Sequence, residues 1–122
     1  MSDRDIEQEI QAKGLTAPRV TPADIEANIN SEDYFTAREG VLGHAYQRMQ
    51  GLGPLPESLG LLTFCVLTLR NGFTVTGESA CASPENFDAE IGRKIARQNA
   101  VNKVWPLMGY ALKQKLSEVG NG

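Results

Sequence analysis

Three cations, Arg93, Lys94 and Arg97, fall within five positions of one another, and Gln98 and Asn102 follow them. At helical spacing Arg93 and Arg97 are one turn apart on one face, with Lys94 flanking them. A guanidinium is a planar fork of N–H donors that matches phosphate oxygens, so this edge has the residue types of an anion site. Ser79 and Ala80 are small enough to admit a ligand, and free backbone N–H groups after Ser83 would add donors if a helix starts there. The competing reading is a solvated helix face on which Glu90 pairs with Lys94 four residues later. The candidate ligand-binding set is therefore Arg93, Lys94, Arg97, Gln98, Asn102 and Ser79.

No comparable signal exists for catalysis. His44 is the single histidine, and Cys65 and Cys81 stand sixteen apart, outside any CxxC arrangement. Zinc-ligand spacing is thus missing, and neither a P-loop nor a GxSxG or GxGxxG segment occurs. A nucleophilic Cys65–His44 pair can be drawn, but a cysteine at the centre of a strand is ordinarily a buried thiol. Glu78, Asp88 and Glu90 cluster in sequence. They could serve a metal-assisted hydrolase, or Asp88 could lie at a helix start while Glu90 pairs with Lys94. Trp105, Tyr110 and Phe87 read as core rather than as stacking platforms. The expectation is a non-enzymatic protein with no catalytic residue, no metal and no cofactor.

The totals restrict the partners. The 122 residues amount to one domain, with 41% hydrophobic and 22% charged residues. Residues 1–60 hold ten acids against five Lys/Arg, whereas residues 61–122 hold seven Lys/Arg against five acids. This imbalance argues against duplex DNA, which needs a clear positive face. The longest apolar run, Leu61 to Leu69, is too short to span a bilayer, and the start Met1-Ser2-Asp3-Arg4-Asp5 lacks the pattern of a signal peptide. The expected compartment is the cytoplasm.

The elements that must position these residues read as α+β in a single domain, 1–122. Ser2 caps a short helix over Asp3 to Lys13 that ends at Gly14, leaving residues 1–20 as a loosely packed helical segment. Thr21-Pro22-Ala23-Asp24 opens a second helix with Ile25 and Ile29 on one face. Tyr34 to Gln50 is ambiguous and could be a further short helix interrupted by Gly40 and Gly43. Residues 51–60 form a Gly/Pro loop. Leu61–Leu69 and Phe73–Cys81 then make one antiparallel β-hairpin closed by Asn71-Gly72, with Arg70 facing Phe73, Val66 facing Gly77 and Leu62 facing Cys81. That register puts Leu62, Phe64, Val66, Phe73 and Val75 on the core face, and separates Cys65 from Cys81, so both thiols should be reduced. Ser83-Pro84-Glu85 starts a long C-terminal helix reaching about Ser117, kinked or broken at Pro106. Its apolar stripe gathers Phe87, Ile91, Ile95, Trp105, Leu112 and Leu116, with Gln98 and Asn102 at the same angle. Polar groups on such a stripe are either satisfied in the core or face a ligand or a second subunit, which makes a homo-oligomer the expectation.

Several segments carry a resemblance. They are Tyr34-Phe35-Thr36, Thr63-Phe64-Cys65, Asn71-Gly72-Phe73-Thr74-Val75-Thr76-Gly77-Glu78-Ser79-Ala80-Cys81, Asn86-Phe87-Asp88-Ala89-Glu90-Ile91-Gly92-Arg93-Lys94 and Trp105-Pro106-Leu107-Met108-Gly109-Tyr110. Together they resemble the small tailed-phage accessory proteins of the gene 49/gene 66 phage protein family. The resemblance implies a bacteriophage or prophage origin and action in the host bacterial cytoplasm, and it assigns no residue a role. Three functions fit these expectations. One is a counter-defence protein that sequesters a small nucleotide signal, held between subunits. Another is an inhibitor that binds a host enzyme or defence complex through its acidic N-terminal half. The third is a nucleic-acid-associated replication factor with a local single-strand groove.

Overall fold

The computed structural model describes residues 2–120; Met1, Asn121 and Gly122 lie outside the described residues. Three short helices begin with the same device. In α1 (Asp3–Ala12) Ser2 and Asp5 cap each other's backbone, in α2 (Pro22–Asn28) Thr21 and Asp24 do, and in α3 (Ala37–Gln47) Thr36 and Glu39 do. Each reciprocal pair satisfies two backbone N–H groups that a helix start would otherwise leave open.

Between α2 and α3 the chain is extended rather than helical. Residues Ile29–Thr36 form strand β1, so the second helix ends before Ile29 and the ambiguous segment divides at Thr36 into strand and α3. The hairpin strands are β2 (Leu62–Leu69) and β3 (Thr74–Ala80), preceded by a 3₁₀ turn at Glu57–Leu61. All three strands are antiparallel in the order β1-β2-β3. β2 is therefore central, and the sheet exceeds the single hairpin expected from the sequence by one strand.

The hairpin register differs by one residue from the sequence expectation. Cys65 faces Gly77 and Leu67 faces Val75, because the loop has three residues, Arg70 to Gly72. The Leu69 N–H reaches the Phe73 carbonyl at 2.8 Å, and the Gly72 N–H closes on the Leu69 carbonyl at 2.9 Å. Within the loop only Gly72 takes the left-handed conformation, at φ +90°, while Asn71 accepts the Phe73 N–H on its Oδ1. This is a tight turn followed by a left-handed glycine bulge, not a two-residue turn with two positive φ values. A one-residue slip exchanges the faces of a strand. Cys65, Leu67, Leu69 and Val75 accordingly form the buried face, Leu62, Phe64 and Val66 are half-buried on the other, and Phe73 is exposed.

The long helix α4 (Ala89–Gly120) starts later than Ser83. Pro84–Asn86 form a separate 3₁₀ turn, and Asp88 accepts the Ile91 N–H at 3.0 Å. The helix continues through Pro106. It lies across the buried face of the sheet on a ridge of small residues, Gly92, Ala96, Ala100, Val101 and Val104, rather than on the expected large apolar stripe. Ile91 and Ile95 from that stripe point to solvent, 55% and 47% exposed. The small ridge lets the helix backbone approach β3 closely. A Cβ built on Gly77 would lie 2.1 Å from the Ala96 carbonyl oxygen and 2.3 Å from the Ala100 nitrogen. The core between helix and sheet contains Cys65, Leu67, Leu69, Val75, Ala96, Ala100, Val101 and Val104, closed at one side by Ile25 of α2. On the opposite sheet face the rings of Phe35 and Phe64 stack at 5.4 Å, with α3 against them at Gly40.

Candidate functional site

The cations of the expected anion edge have three different fates. Arg97 is bidentate to Glu26 of α2 at 3.1 and 2.7 Å, and its Nε donates to Glu32 of β1 at 2.9 Å. These carboxylates raise the Arg97 pKa further above its ordinary value, and Arg97 in turn lowers that of Glu26. The network ties α4 to both N-terminal elements. Lys94 meets Glu90 at 3.3 Å, with both side chains mostly in water, so the pair contributes little. Arg93 has no carboxylate partner among the described residues.

The polar pair at the same helical angle is also on the surface. The Gln98 Nε2 donates to the Asn102 Oδ1 at 2.9 Å, and both residues are exposed. Ser79 is half-buried on β3 opposite Thr63 of β2. The residues after Ser83 do not form the α4 start, and Asp88 already occupies the Ile91 N–H there, so the expected backbone cradle behind Ser79 is not formed by that helix.

Arg93 instead lines a cleft of about 150 Å³ with Tyr34, Phe35, Thr36, Glu39, Thr63, Phe87 and Ala89. The sheet brings Tyr34, Thr36 and Thr63 together through the β1–β2 register, in which Thr36 faces Thr63 and Tyr34 faces Cys65. The first turns of α4 add Ala89 and Arg93, and the turn before them adds Phe87. Thr63 is 3% exposed, and a Cβ at Gly92 would come within 3.1 Å of its Oγ1, so the glycine leaves room for the hydroxyl. The Glu39 carboxylate is committed to the Thr36 N–H at 2.8 Å as part of the α3 cap. Burial, with Cys65 and Glu32 close by, pushes the Tyr34 phenol up to about 12, so it stays protonated at neutral pH and donates to Glu32 at 3.1 Å. The cleft thus holds the Arg93 guanidinium, the Thr36 and Thr63 hydroxyls and two aromatic rings beside the Glu39 carboxylate, so its donors for a small anion are Arg93 and the two threonines.

Of the expected ligand residues only Arg93 reaches this cleft. Reasoning on helical spacing alone missed Tyr34, Phe35, Thr36, Thr63 and Phe87. The signal that could have found them is the resemblance itself, because its separate segments around Tyr34, Thr63, Phe87 and Arg93 meet here.

Other reactive groups are occupied or apart. Glu78 accepts from the Thr76 hydroxyl at 3.3 Å, Asp88 caps α4 and Glu90 pairs with Lys94. Cys65 is fully buried, where burial pushes its thiol pKa up, and His44 is exposed on α3. Cys65 and Cys81 are both free thiols as expected, but not for the expected reason: Cys65 faces Gly77 and the Cys81 N–H bonds to the Leu61 carbonyl, so the two stand four positions apart along one face rather than on opposite faces. Among the described residues no cluster of three His, Cys, Asp or Glu is placed to hold a metal ion, and no helix is long and apolar enough to cross a membrane.

A three-stranded antiparallel sheet backed by one long helix, with a small polar cleft where β1, β2 and the helix start converge, defines a compact α+β class of protein. The chain belongs to the Phage protein (N4 Gp49/phage Sf6 gene 66) family, whose match covers residues 20–116. It is thus a bacteriophage-family protein, as the quoted segments implied. The match takes in the sheet, the cleft and most of α4 and leaves α1 outside. No curated protein and no solved structure matches the chain.

Proposed function

We propose that this phage-family protein is a non-enzymatic accessory factor of the host cytoplasm that counters host defence by binding a small nucleotide signal. The observation that carries the reading is Arg93, the one cation of the Arg93–Arg97 edge with no carboxylate partner among the described residues, at the mouth of the Tyr34–Thr63–Phe87 cleft. A space of about 150 Å³ takes a phosphate and not a whole nucleotide. In this reading the phosphate meets Arg93, and the base lies outside the cleft against Phe87 or Phe35. Lys94, Gln98 and Asn102 are further along the exposed side of the same helix, where a longer or second-subunit-bound ligand would pass.

Calorimetric titration with cyclic and linear nucleotides, and with inorganic phosphate, tests the proposal. Arg93→Ala should weaken binding about tenfold or more, since a charge-assisted contact contributes about 1.5–3 kcal/mol. The same substitution should leave the melting temperature nearly unchanged. Absence of heat with every nucleotide, or full phage protection by Arg93→Ala, would overturn the reading.

Exposed Ile91 and Ile95 favour a second reading, an inhibitor that grips a host protein with the outer face of α4. Here Ile91→Asp with Ile95→Asp should abolish protection while Arg93→Ala retains it. The reverse outcome would favour the nucleotide.

A further inference from the structure

Helix α1 is attached to this protein in an unusual way. It contributes no buried residue, and it lies outside the family match that begins at residue 20. Its one apolar ridge, Ile6 and Ile10, forms with Asp3 and Glu7 one wall of a groove of about 250 Å³ whose other wall is Val20, Pro22 and Trp105. Trp105 is half-buried and packs against the core from that second wall. Two polar ties hold the helix down. The Trp105 Nε1 donates to the Asp3 carboxylate at 3.2 Å, and the Arg19 guanidinium is bidentate to Glu7 at 2.5 and 2.7 Å. Both lie on the same side of α1 as the isoleucines, because positions 3, 6, 7 and 10 share one helical face.

The connection leaves α1 through a glycine cap. Gly14 takes φ +67°, its N–H closes on the Gln11 carbonyl at 3.0 Å and the Leu15 N–H on the Ile10 carbonyl at 3.3 Å; beyond Leu15, where Pro18 follows, the Arg19 Nε reaches the Leu15 carbonyl at 3.3 Å. Arg19 itself stands on the groove side of this connection. An arm that shares no core with its domain, held by a matched apolar ridge and a matched charge, makes the same contacts on its own chain or on an identical one.

We propose that α1 is an exchangeable arm, and that the groove over Trp105 is a docking site for α1 of a second copy of this chain. The groove selects a helix with carboxylates at its first and fifth positions and branched aliphatic residues at its fourth and eighth, which is the pattern Asp3, Glu7, Ile6, Ile10. Docking on the same chain dominates in dilute solution, because a short tether holds the arm at an effective concentration on the order of millimolar. Exchange takes over when copies are concentrated or when the contact within one chain is spoiled.

A charge-swap experiment separates the two modes. Glu7→Arg and Arg19→Glu each place like charges together within one chain, so each variant alone should be monomeric with red-shifted emission from Trp105, the single tryptophan. Mixed one to one, each arm finds its opposite charge on the other copy. Sedimentation should then show a dimer that neither variant forms alone, with the Trp105 emission restored. The double variant Glu7→Arg/Arg19→Glu should return to the wild-type monomer. As a second measurement, a peptide of residues 2–13, which carries no tryptophan, should bind the Glu7→Arg chain saturably and shift Trp105 emission to the blue. A mixture that stays monomeric at high concentration, single variants whose Trp105 emission matches wild type, or a peptide that does not saturate would each overturn the proposal.

Discussion

Replacing Gly77 by alanine should be the most damaging single-methyl change in this protein. The added Cβ would stand 2.1 Å from the Ala96 carbonyl oxygen, 2.3 Å from the Ala100 nitrogen and 2.9 Å from the Ala100 Cα. All three are helix backbone atoms, so no side chain can swing aside. To reach ordinary contact α4 must retreat from β3 by about 1 Å or more, and a gap of 0.5–1 Å forfeits roughly a quarter to a half of each contact's attraction. That loss spreads over Ala96, Ala100, Val101 and Val104 and their partners Cys65, Leu67 and Val75. Overpacking of a tight core costs about 1–3 kcal/mol, and a backbone-on-backbone clash belongs at or above the top of that range. For a domain of this size about 3 kcal/mol corresponds to a melting temperature lower by roughly 10–15 °C. Thermal melting followed by circular dichroism measures it. Gly109→Ala is the control, because its added Cβ meets nothing within 4 Å and it should stabilise the helix by up to about 1 kcal/mol. A Gly77→Ala melting curve within about 3 °C of wild type would refute the close helix–sheet packing.

Arg97→Ala should cost about 1–2 kcal/mol in chemical denaturation, since it strips Glu26 and Glu32 of their shared partner, the figure being tempered by the exposure of both carboxylates. This exceeds what a merely solvated cation would show. Acid should release α1: Arg19 lowers the Glu7 pKa from 4.5 to about 2, so the contact is complete above 4.5 and is lost as pH falls through about 2. Trp105 emission should report that loss as a step that Glu7→Gln removes. Asn71→Pro should destabilise the hairpin by about 2 kcal/mol, because proline at this turn position disturbs Arg70 before it and the Asn71 bond to the Phe73 N–H is lost. Denaturant titration against the wild type reads this directly. Both thiols should react with a disulfide reagent after unfolding without reductant, whereas Cys65, fully buried and with its pKa raised, should be silent in the folded protein at pH 8.

The starts of the first two helices and the place of the hairpin turn were written plainly in the chain. Ser2, Thr21 and the Asn71-Gly72 turn each act through bonds to neighbours a few residues away, so their effect can be read without knowing the rest of the fold. The same holds for the alternation of β2 and for the Glu90–Lys94 pair. The third cap, Thr36 with Glu39, is of the same kind and could have been read, which would have divided the ambiguous Tyr34–Gln50 segment correctly. Segments of the family resemblance were also legible, although their meeting point at Arg93 was not.

Tertiary structure decided everything that depended on which surface meets which. Segment Ile29–Thr36 becomes a strand because β2 offers it an open edge; the polar run Asn30–Asp33 carries little strand signal of its own. One loop residue shifts the hairpin register, and since side chains alternate with period two, that shift moves Cys65, Leu67 and Leu69 to the core and Phe64 and Val66 away from it. In α4 the largest apolar residues define one stripe, yet the buried face is the small one. Close approach of helix and sheet backbones at Gly77 is a property of two elements together, and neither element's hydrophobicity announces it. Arg97 likewise looks free in the sequence because its carboxylates, Glu26 and Glu32, are more than sixty residues away. Composition and short-range chemistry thus determined the class, the caps and the place of the turn, while the working face of the helix, and the pairing of Arg97 but not of Arg93, emerged only when distant segments were packed together.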